Sequence, residues 1–288
     1  MNIIEGKQLA SAIRTQVKTE IAQSGFTPGL AVILVGDDPP SHTYVALKQE
    51  AAAEVGVVFE RHVFPARTNQ RLLKSLVEEL NARVDVHAIL IQLPLPPHLD
   101  TNALIRAMAP EKDVDGFHPV NLQRIQEGHP RHLPVVARAT LALLQTTRQP
   151  LKGKRAVLAV KNDIFSIPLT FTLSREGCAV ETVKPNDPFF IQKTKSADLV
   201  VTAVGKPRYL TADYVKPGVI IIDIGTTVLP DGSTIGDADP SSLDAMQGFR
   251  SAVPGGIGPL TVAYLMQATL ELIKTSATAI SLPHILPK

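Results

Sequence analysis

The chain of 288 residues contains one cysteine and no tryptophan, and only 5% of its residues are aromatic. The single cysteine, Cys178, excludes an internal disulfide and a cysteine-based metal cluster. It is typical of a reducing, cytoplasmic compartment. So few aromatic side chains argue against a surface on which nucleic-acid bases stack. The sequence therefore excludes a scaffold held together by disulfides and argues against a module that binds single-stranded nucleic acid.

The sequence also lacks an excess of charge and a long apolar run. Lys and Arg number 29 against 27 for Asp and Glu, a net charge of +2 without a long run of one sign. This balance gives no support to nucleic-acid or membrane-surface binding. The longest apolar runs, such as residues 219–222, have the length of a strand and not of a bilayer span. We expect no membrane segment, no nucleic-acid partner and a core built from the 44% hydrophobic residues.

What is present is an alternation of strand-like and helix-like segments, which predicts an α/β protein with parallel sheets. The pattern restarts near Gly153. We therefore predict an N-terminal α/β domain over residues 1–138, joined by a closing helix over about 259–288, and a Rossmann-like, doubly wound parallel-sheet domain over 139–258. The predicted strands are 30–35, 57–64, 88–92, 155–160, 179–183, 199–204 and 219–224. The predicted helices are 9–23, 42–55 (capped by Ser41), 69–83, 101–108, 139–149, 168–176 and 260–274, with a loop over 110–123.

Two polar groups in the N-terminal half are candidates for chemistry. Tyr44 and Lys48 lie four residues apart on a predicted helix and so share a face. A lysine held in a cleft can have its amine tuned for proton transfer, whereas a solvated lysine is the simpler interpretation of the spacing alone. Gln92 follows an apolar strand, where its amide can bond a ligand, a lysine or nearby backbone.

Two loops are the other candidates. Asp113, Asp115 and His118 fall close together and suggest a metal site, a turn, or a carboxylate that pairs with the amino-pyrimidine edge of a pterin. The segment 254–259 is dense in glycine and proline and runs into the closing helix. Its glycines allow backbone to approach a ligand closely, although a tight linking turn explains them too.

Taken together, these segments resemble the methylenetetrahydrofolate dehydrogenase/methenyltetrahydrofolate cyclohydrolase family. Four blocks in the family order carry the resemblance, which covers nearly the whole chain: residues 44–48, 91–96, 110–122 and 254–261. The resemblance implies a tetrahydrofolate one-carbon derivative as substrate, bound in a cleft between two domains of a homodimer. It implies NADP or NAD as cofactor.

Site roles also follow from the resemblance. Lys48 is the implied central catalytic residue, Gln92 the residue that bonds and tunes it, and Tyr44 the residue that stacks on or orients the folate. Asp115 is implied to hold the pterin. Pro254, Gly255 and Gly256 are implied to line the folate site. No metal is expected.

The cofactor half departs from the family pattern. Where the family has two glycines after the first strand of the second domain, this chain has Val160 and Ser166, with Phe165 beside them. Glycine there lets backbone approach the pyrophosphate, so we expect NADP binding to be weakened, lost or altered. Glu181 is a candidate acceptor for a ribose hydroxyl, which would favour NAD. The residues left for a cofactor are Lys161, Asn162, Lys184, Gly205 and Thr226, the two lysines being equally consistent with ordinary surface positions.

Three functions remain open. The main prediction is an enzyme that acts mainly as a hydrolase, opening methenyl-tetrahydrofolate or a related folate adduct to formyl-tetrahydrofolate, with the NADP-dependent dehydrogenase activity in question because the cofactor loop is altered. The first alternative is the full bifunctional NAD(P)-dependent dehydrogenase and cyclohydrolase. The second alternative is a folate-binding regulatory protein without turnover.

Overall fold

The computed structural model describes residues 1–161, 163–229 and 231–280. Its strands are β1 (Asn2–Ile4), β2 (Gly29–Val35), β3 (Val58–Phe64), β4 (Ala88–Ile91), β5 (Arg155–Val160), β6 (Ala179–Val183), β7 (Leu199–Ala203), β8 (Val219–Asp223), β9 (Thr227–Val228), β10 (Thr234–Ile235) and β11 (Gly248–Ser251). Its helices are α1 (Lys7–Ser24), α2 (Pro39–Val55), α3 (Gln70–Ala82), α4 (Thr101–Ala107), α5 (Pro119–Gln126), α6 (Val135–Thr146), α7 (Ser166–Arg175), α8 (Phe190–Ser196), α9 (Pro240–Leu243) and α10 (Ile257–Ile280). The two-domain α/β class with parallel sheets is confirmed.

The chain divides into two compact units. One, here the three-stranded unit, comprises Ser11–Asn121 and the chain from Val262 onward. The other, the six-stranded unit, comprises Met1–Ala10 and Leu122–Thr261. This division differs from the boundaries expected from the sequence because β1 pairs in parallel with β11 and so joins the start of the chain to the larger sheet.

The three-stranded unit is built on β2. Its sheet has the order β3-β2-β4, and both pairings are parallel. Every residue of β2 is buried, as expected for a continuous apolar run covered on both faces. Since α2 follows β2 and β4 lies beside β2, the residues after β4 lie at the same sheet edge as the start of α2.

The start of α2 differs from the expectation that Ser41 caps it. Asp38 is the N-cap, and its carboxylate accepts hydrogen bonds from the backbone N–H of Ser41 (3.0 Å) and its hydroxyl (2.6 Å). Pro39 and Pro40 occupy the first turn, where a missing N–H costs nothing. The helix therefore begins three residues earlier than expected and ends at Gly56, whose φ of 90° permits the left-handed cap.

Three of the described helices, α5, α8 and the four-residue α9, were not expected. The region 110–123, interpreted as a loop because of its Pro, Gly and Asp content, contains the start of α5 with Pro119 as its first residue. Proline suits that position because its fixed φ is already helical. The helix α8 lies between β6 and β7, where only a connection was expected.

The six-stranded unit has the strand order β1-β11-β8-β7-β5-β6 with parallel pairing throughout. After β5 the chain adds β6 on one side and β7 on the other. The gap between the carboxyl ends of β5 and β7 is therefore the topological switch point, where doubly wound sheets bind ligands. In the part of the chain described, no helix combines the length and hydropathy needed to cross a membrane.

Candidate functional site

The centre of the three-stranded unit is a hydrogen-bonded pair at the edge where β4 ends. Lys48 Nζ, in the third turn of α2, donates to Gln92 Oε1 at 2.8 Å. The Gln92 side-chain Nε2 donates to the Leu93 carbonyl at 2.8 Å, and its backbone N–H continues the ladder to the Ile33 carbonyl at 2.9 Å. Both ends of the Gln92 amide are thus engaged, which points its oxygen at Lys48.

The electrostatics of this centre involve Lys48 and two carboxylates. Burial lowers the pKa of Lys48, and the nearby Asp115 carboxylate opposes that effect. Burial also raises the pKa of Asp115 to about 6, with Lys48 lowering it and Asp113 raising it further. The pKa values of this lysine and this aspartate thus move toward each other, a pattern typical of groups that exchange protons in a site.

The origin of the lowered Lys48 pKa refines the expected role of Gln92. A carbonyl oxygen that accepts a hydrogen bond from an amine favours the protonated amine. The shift toward the neutral amine therefore comes from burial, and Gln92 orients the lysine. Tyr44 is half-buried one turn before Lys48 on α2, so the two side chains leave the same side of the helix.

Asp113 organises the loop that carries Asp115. Its side chain is fully buried, and its carboxylate accepts from the N–H groups of Gly116 (3.1 Å) and His118 (2.7 Å) and from Asn121 Nδ2 (2.9 Å). His118 Nδ1 in turn accepts from the Val120 N–H at 3.1 Å. These bonds favour the turn interpretation over a metal site, and no group of three or more metal-ligating side chains occurs among the described residues.

The glycine-rich segment 254–256 belongs to the six-stranded unit. Gly6 donates its N–H to the Gly255 carbonyl at 2.8 Å, and a Cβ on Gly6 would overlap the Gly256 carbonyl. Gly255 has a φ of 109°, which other residues rarely adopt. This packing accounts for glycine at these positions, and the folate-lining role of Pro254, Gly255 and Gly256 stays a prediction.

The first cofactor loop follows β5. Val160, its last residue, is fully buried, and a short 3-10 turn over Asp163–Phe165 leads into α7. The Lys184 ammonium pairs with the Asp163 carboxylate and donates to the Lys161 carbonyl at 3.4 Å. The two predicted lysines are thus brought together, with an internal carboxylate beside them. The predicted residue Asn162 lies outside the described residues.

The second cofactor loop follows β7 and is tied to Asp237. That fully buried carboxylate accepts from the Thr202 hydroxyl and from the N–H groups of Val204, Gly205 and Lys206, at 2.5 to 3.2 Å. Three successive amides that converge on one acceptor form a nest, an arrangement that suits anions. Here the anion is the protein's own side chain.

A second buried carboxylate binds the backbone N–H of Asp237. Asp223, at the end of β8, accepts from the N–H groups of Gly225 (2.9 Å), Asp237 (3.2 Å) and Ala238 (2.8 Å). Burial raises the pKa of Asp223 to about 7, and the Asp237 charge adds to the rise. Thr226 follows this segment, and its side chain is half-buried.

Sequence reasoning missed Asp237 and gave Asp223 no role. The available signal was a glycine close to each aspartate. A Cβ at Gly225 would overlap the Asp237 carboxylate, and one at Gly236 would overlap the Asp223 carboxylate. Glycine at positions 225 and 236 is therefore the sequence feature that indicates the two buried carboxylates.

Glu181 does not suit the ribose role suggested for it. It is the third of five residues in β6 and so lies before the carboxyl end of the strand. Its carboxylate pairs with Arg155 at 2.9 Å and with Lys193 at 3.1 Å, which lowers its pKa. The Glu181 carboxylate is thus paired with two cations of its own unit.

The six-stranded unit therefore has some, but not all, of the features that bind a dinucleotide. The parallel sheet and its switch point suit such a ligand. A positive φ of 70° at Gly205, with open space where a Cβ would stand, leaves room for close approach there. The described residues do not form the glycine-rich pyrophosphate cradle, because the loop after β5 holds Val160 and Asp163 and the nest after β7 is filled by Asp237.

Comparison with known families gives one consistent match. Residues 4–115 match the model of the tetrahydrofolate dehydrogenase/cyclohydrolase catalytic domain. Residues 134–277 match the model of the NAD(P)-binding domain of the same family. The Bifunctional protein FolD of Nautilia profundicola is 39% identical over 280 residues, covering 96% of this chain and 99% of that protein. These matches fit the bifunctional alternative better than the hydrolase-only interpretation.

Comparison with solved structures gives the same family. FolD methylenetetrahydrofolate dehydrogenase/cyclohydrolase from Campylobacter jejuni superposes with a TM-score of 0.89 at 34% identity, covering 96% of this chain and 99% of that one. The Trypanosoma brucei enzyme, solved with NADP and an inhibitor, gives 0.89 at 33% identity, with 96% and 98% coverage. With both halves matched in order, the chain belongs to the tetrahydrofolate dehydrogenase/cyclohydrolase family.

Proposed function

We propose that this protein is a bifunctional methylenetetrahydrofolate dehydrogenase and methenyl-tetrahydrofolate cyclohydrolase. The observation that carries the cyclohydrolase half is the Lys48–Gln92 hydrogen bond of 2.8 Å beside Asp115, in a setting where burial lowers the lysine pKa. The dehydrogenase half is supported by the family match over residues 134–277 and by relatives that are named bifunctional.

The hydrolytic step follows from the chemistry of Lys48. The methenyl carbon of the substrate is cationic and is attacked by water. As the C–O bond forms, neutral Lys48 accepts a proton from that water and becomes an ammonium. When the bond from that carbon to N5 breaks, the ammonium returns the proton to N5, and the hydroxyl of the adduct loses its own proton as the formyl C=O forms. One proton is released to solvent for each molecule of formyl-tetrahydrofolate.

The neighbours of Lys48 have supporting roles in this proposal. Gln92 holds the amine in one direction through its amide oxygen. Asp115, when ionised, accepts hydrogen bonds from the amino-pyrimidine edge of the pterin. Tyr44, on the Lys48 side of α2, contacts the folate ring system. The partially raised pKa of Asp115 means that folate binding weakens as pH falls through about 6.

The described loop after β5 does not form the usual pyrophosphate cradle for a nicotinamide cofactor. The cofactor would supply hydride acceptance from methylene-tetrahydrofolate. Lys161, Lys184, Gly205 and Thr226 are the described residues that we propose for its phosphates and riboses. Of these, Gly205 has open space beside it, and the Lys184 ammonium donates to the Lys161 backbone carbonyl.

A hydrolase without dehydrogenase activity is the second candidate. It is favoured by one observation, the Lys184–Asp163 pair that places a carboxylate just before α7, where a cofactor phosphate would meet repulsion. A third possibility, a folate-binding regulator, requires that the Lys48 site bind folate and not turn it over.

The test is two assays on the purified chain. Methenyl-tetrahydrofolate ring opening is followed for the wild type and for Lys48→Ala, and NADH or NADPH formation is followed with methylene-tetrahydrofolate at saturating cofactor. Both activities support the proposal. Ring opening that depends on Lys48 without reduced cofactor identifies the hydrolase, and folate binding without either activity identifies the regulator.

A further inference from the structure

Asp113 is a buried carboxylate that the hydrolytic step does not use. Its side chain has no solvent exposure, which is rare for an aspartate and requires that its oxygens be satisfied. Among the described residues, its hydrogen-bond donors are neutral: two backbone N–H groups and the amide of Asn121. The carboxylate is thus bonded but is not neutralised by a cation among those donors.

The donors bracket Asp115 along the chain. Asp113 lies two residues before it, and the donated N–H groups of Gly116 and His118 lie one and three residues after it. Asn121 bonds Asp113 and also donates to the Pro110 carbonyl at 2.8 Å, which closes the outer end of the same loop. The backbone on both sides of Asp115 is therefore held by one carboxylate.

The same residue links this loop to the strand that presents Gln92. Asp113 forms an isolated parallel bridge with Ile89 of β4, and the Ile89 N–H donates to the Lys112 carbonyl at 2.7 Å. Three residues beyond Ile89, Gln92 contacts Lys48. A shift of Asp113 would therefore move the Asp115 loop relative to β4.

We propose that Asp113 is a positioning residue for the reaction: it fixes the loop that carries Asp115 against β4, and its negative charge acts on the Asp115 carboxylate. This inference rests on the proposed function. Burial is the main cause of the raised pKa of Asp115. The charged groups that act on it are Lys48 from α2, which favours its ionised form, and Asp113 from its own loop, which opposes ionisation.

A purely structural turn and a positioning charge predict different results. If Asp113 only stabilises a turn, replacing it lowers stability and leaves the pH dependence of folate binding where it was. If its charge acts on Asp115, removing that charge lowers the pKa of Asp115. The loss of folate binding toward acid pH then moves to lower pH, even while the affinity at neutral pH falls because the loop is less well held.

The experiment compares wild type, Asp113→Asn, Asn121→Ala and the control Glu111→Gln, which removes an exposed charge from the same loop. Binding of tetrahydrofolate by calorimetry and the KM and kcat of methenyl-tetrahydrofolate hydrolysis are measured from pH 5 to 9. For Asp113→Asn we expect KM at pH 8 to rise at least tenfold, kcat to change less, and the acid loss of binding to move down by at least half a pH unit. For Asn121→Ala we expect a smaller rise in KM without that shift, and for Glu111→Gln no change.

An unmoved acid limb in a folded Asp113→Asn protein would overturn the proposal whatever its KM, because a purely structural turn predicts that result. If that variant does not fold, Asn121→Ala decides: a raised KM at unchanged free energy of unfolding supports the proposal, and a wild-type KM overturns it. Because calorimetry reads folate binding directly, it still tests Asp113 if the wild type proves not to hydrolyse the substrate. Absence of hydrolysis would contradict only the proposed function.

Discussion

Lys48 Nζ and Gln92 Oε1, which lie 44 residues apart in the chain, are joined by a hydrogen bond of 2.8 Å between the middle of α2 and the end of β4. The Gln92 amide nitrogen Nε2 donates to the Leu93 carbonyl, which fixes the amide oxygen toward Lys48. A partly buried amine with a fixed direction is suited to pass a proton to and from one position in a bound substrate.

Replacing Lys48 by methionine is expected to keep or raise stability. Burial lowers the pKa of this lysine, so its charge costs folding free energy at all pH values below the lowered pKa, and that cost disappears as pH rises toward 10.5. Lys48→Met fills similar space without a charge. Its free energy of unfolding in urea at pH 6 should equal that of the wild type or exceed it by about 1 kcal/mol. The exposed control Lys18→Met should change neither stability nor turnover, and a Lys48→Met protein less stable by several kcal/mol would refute the cost assigned to the charge.

Replacing Gln92 by glutamate is expected to move the pH profile of hydrolysis. A carboxylate against Lys48 favours its protonated form and raises its pKa. Since the reaction needs the neutral amine, the rising limb of kcat should shift to higher pH by about one unit. The control is Gln149→Glu, at an exposed site in the other unit. An unshifted limb in a folded Gln92→Glu protein would mean that Lys48 does not titrate in the rate-limiting step.

Asp223 should make stability decrease as pH rises through neutrality. Its pKa in the folded chain is about 7, above the ordinary value of 3.8, so the folded state holds a proton that the unfolded state has lost. That contribution is complete below about pH 4 and is lost as pH rises through 7, which amounts to about 1 kcal/mol between pH 6 and pH 8. Urea unfolding of wild type and Asp223→Asn at both pH values measures it. The variant should lack this pH dependence, although its overall stability will fall because one hydrogen bond is lost.

Asp237 should be required for the ordered conformation of the loop after β7. Its removal leaves the N–H groups of Val204, Gly205 and Lys206 without their acceptor, at a cost of about 2 to 4 kcal/mol. We expect Asp237→Ala to lower the melting temperature by several degrees and to weaken NADP binding by calorimetry at least tenfold, while Lys48-dependent hydrolysis persists. Asp213→Asn, at an exposed site in the same unit, is the matched control. NADP binding of wild-type strength in Asp237→Ala would separate this loop from the cofactor.

The fold was largely predictable because the strands of its sheets are apolar runs. Leu30 to Val35 and Val219 to Ile222 are buried as expected. The start of α2 and the whole of α5 were predicted less well, because proline was interpreted as a loop former where it opens a helix. The membership of β1 in the larger sheet could not be predicted, since three residues carry too little pattern to indicate a partner 247 residues away.

The site was predictable only in part. Spacing alone placed Tyr44 and Lys48 on one helix face, whereas the pairing of Lys48 with Gln92 came from the family resemblance. The role of Asp113 in a turn was one of the predicted alternatives. The role of Asp237 was not predictable, because most of its described partners are backbone N–H groups, which leave no side-chain signature except a nearby glycine. The homodimer and the cytoplasmic location stay predictions.

The most direct test of the central claim is the initial rate of methenyl-tetrahydrofolate hydrolysis at pH 8, measured side by side for the wild type and Lys48→Met after both are shown to be folded. We predict a wild-type rate well above the uncatalysed rate and a loss of at least 100-fold in the variant, the scale of a general acid–base residue. Equal rates in the two proteins would contradict the assignment of Lys48 as the group that moves the proton.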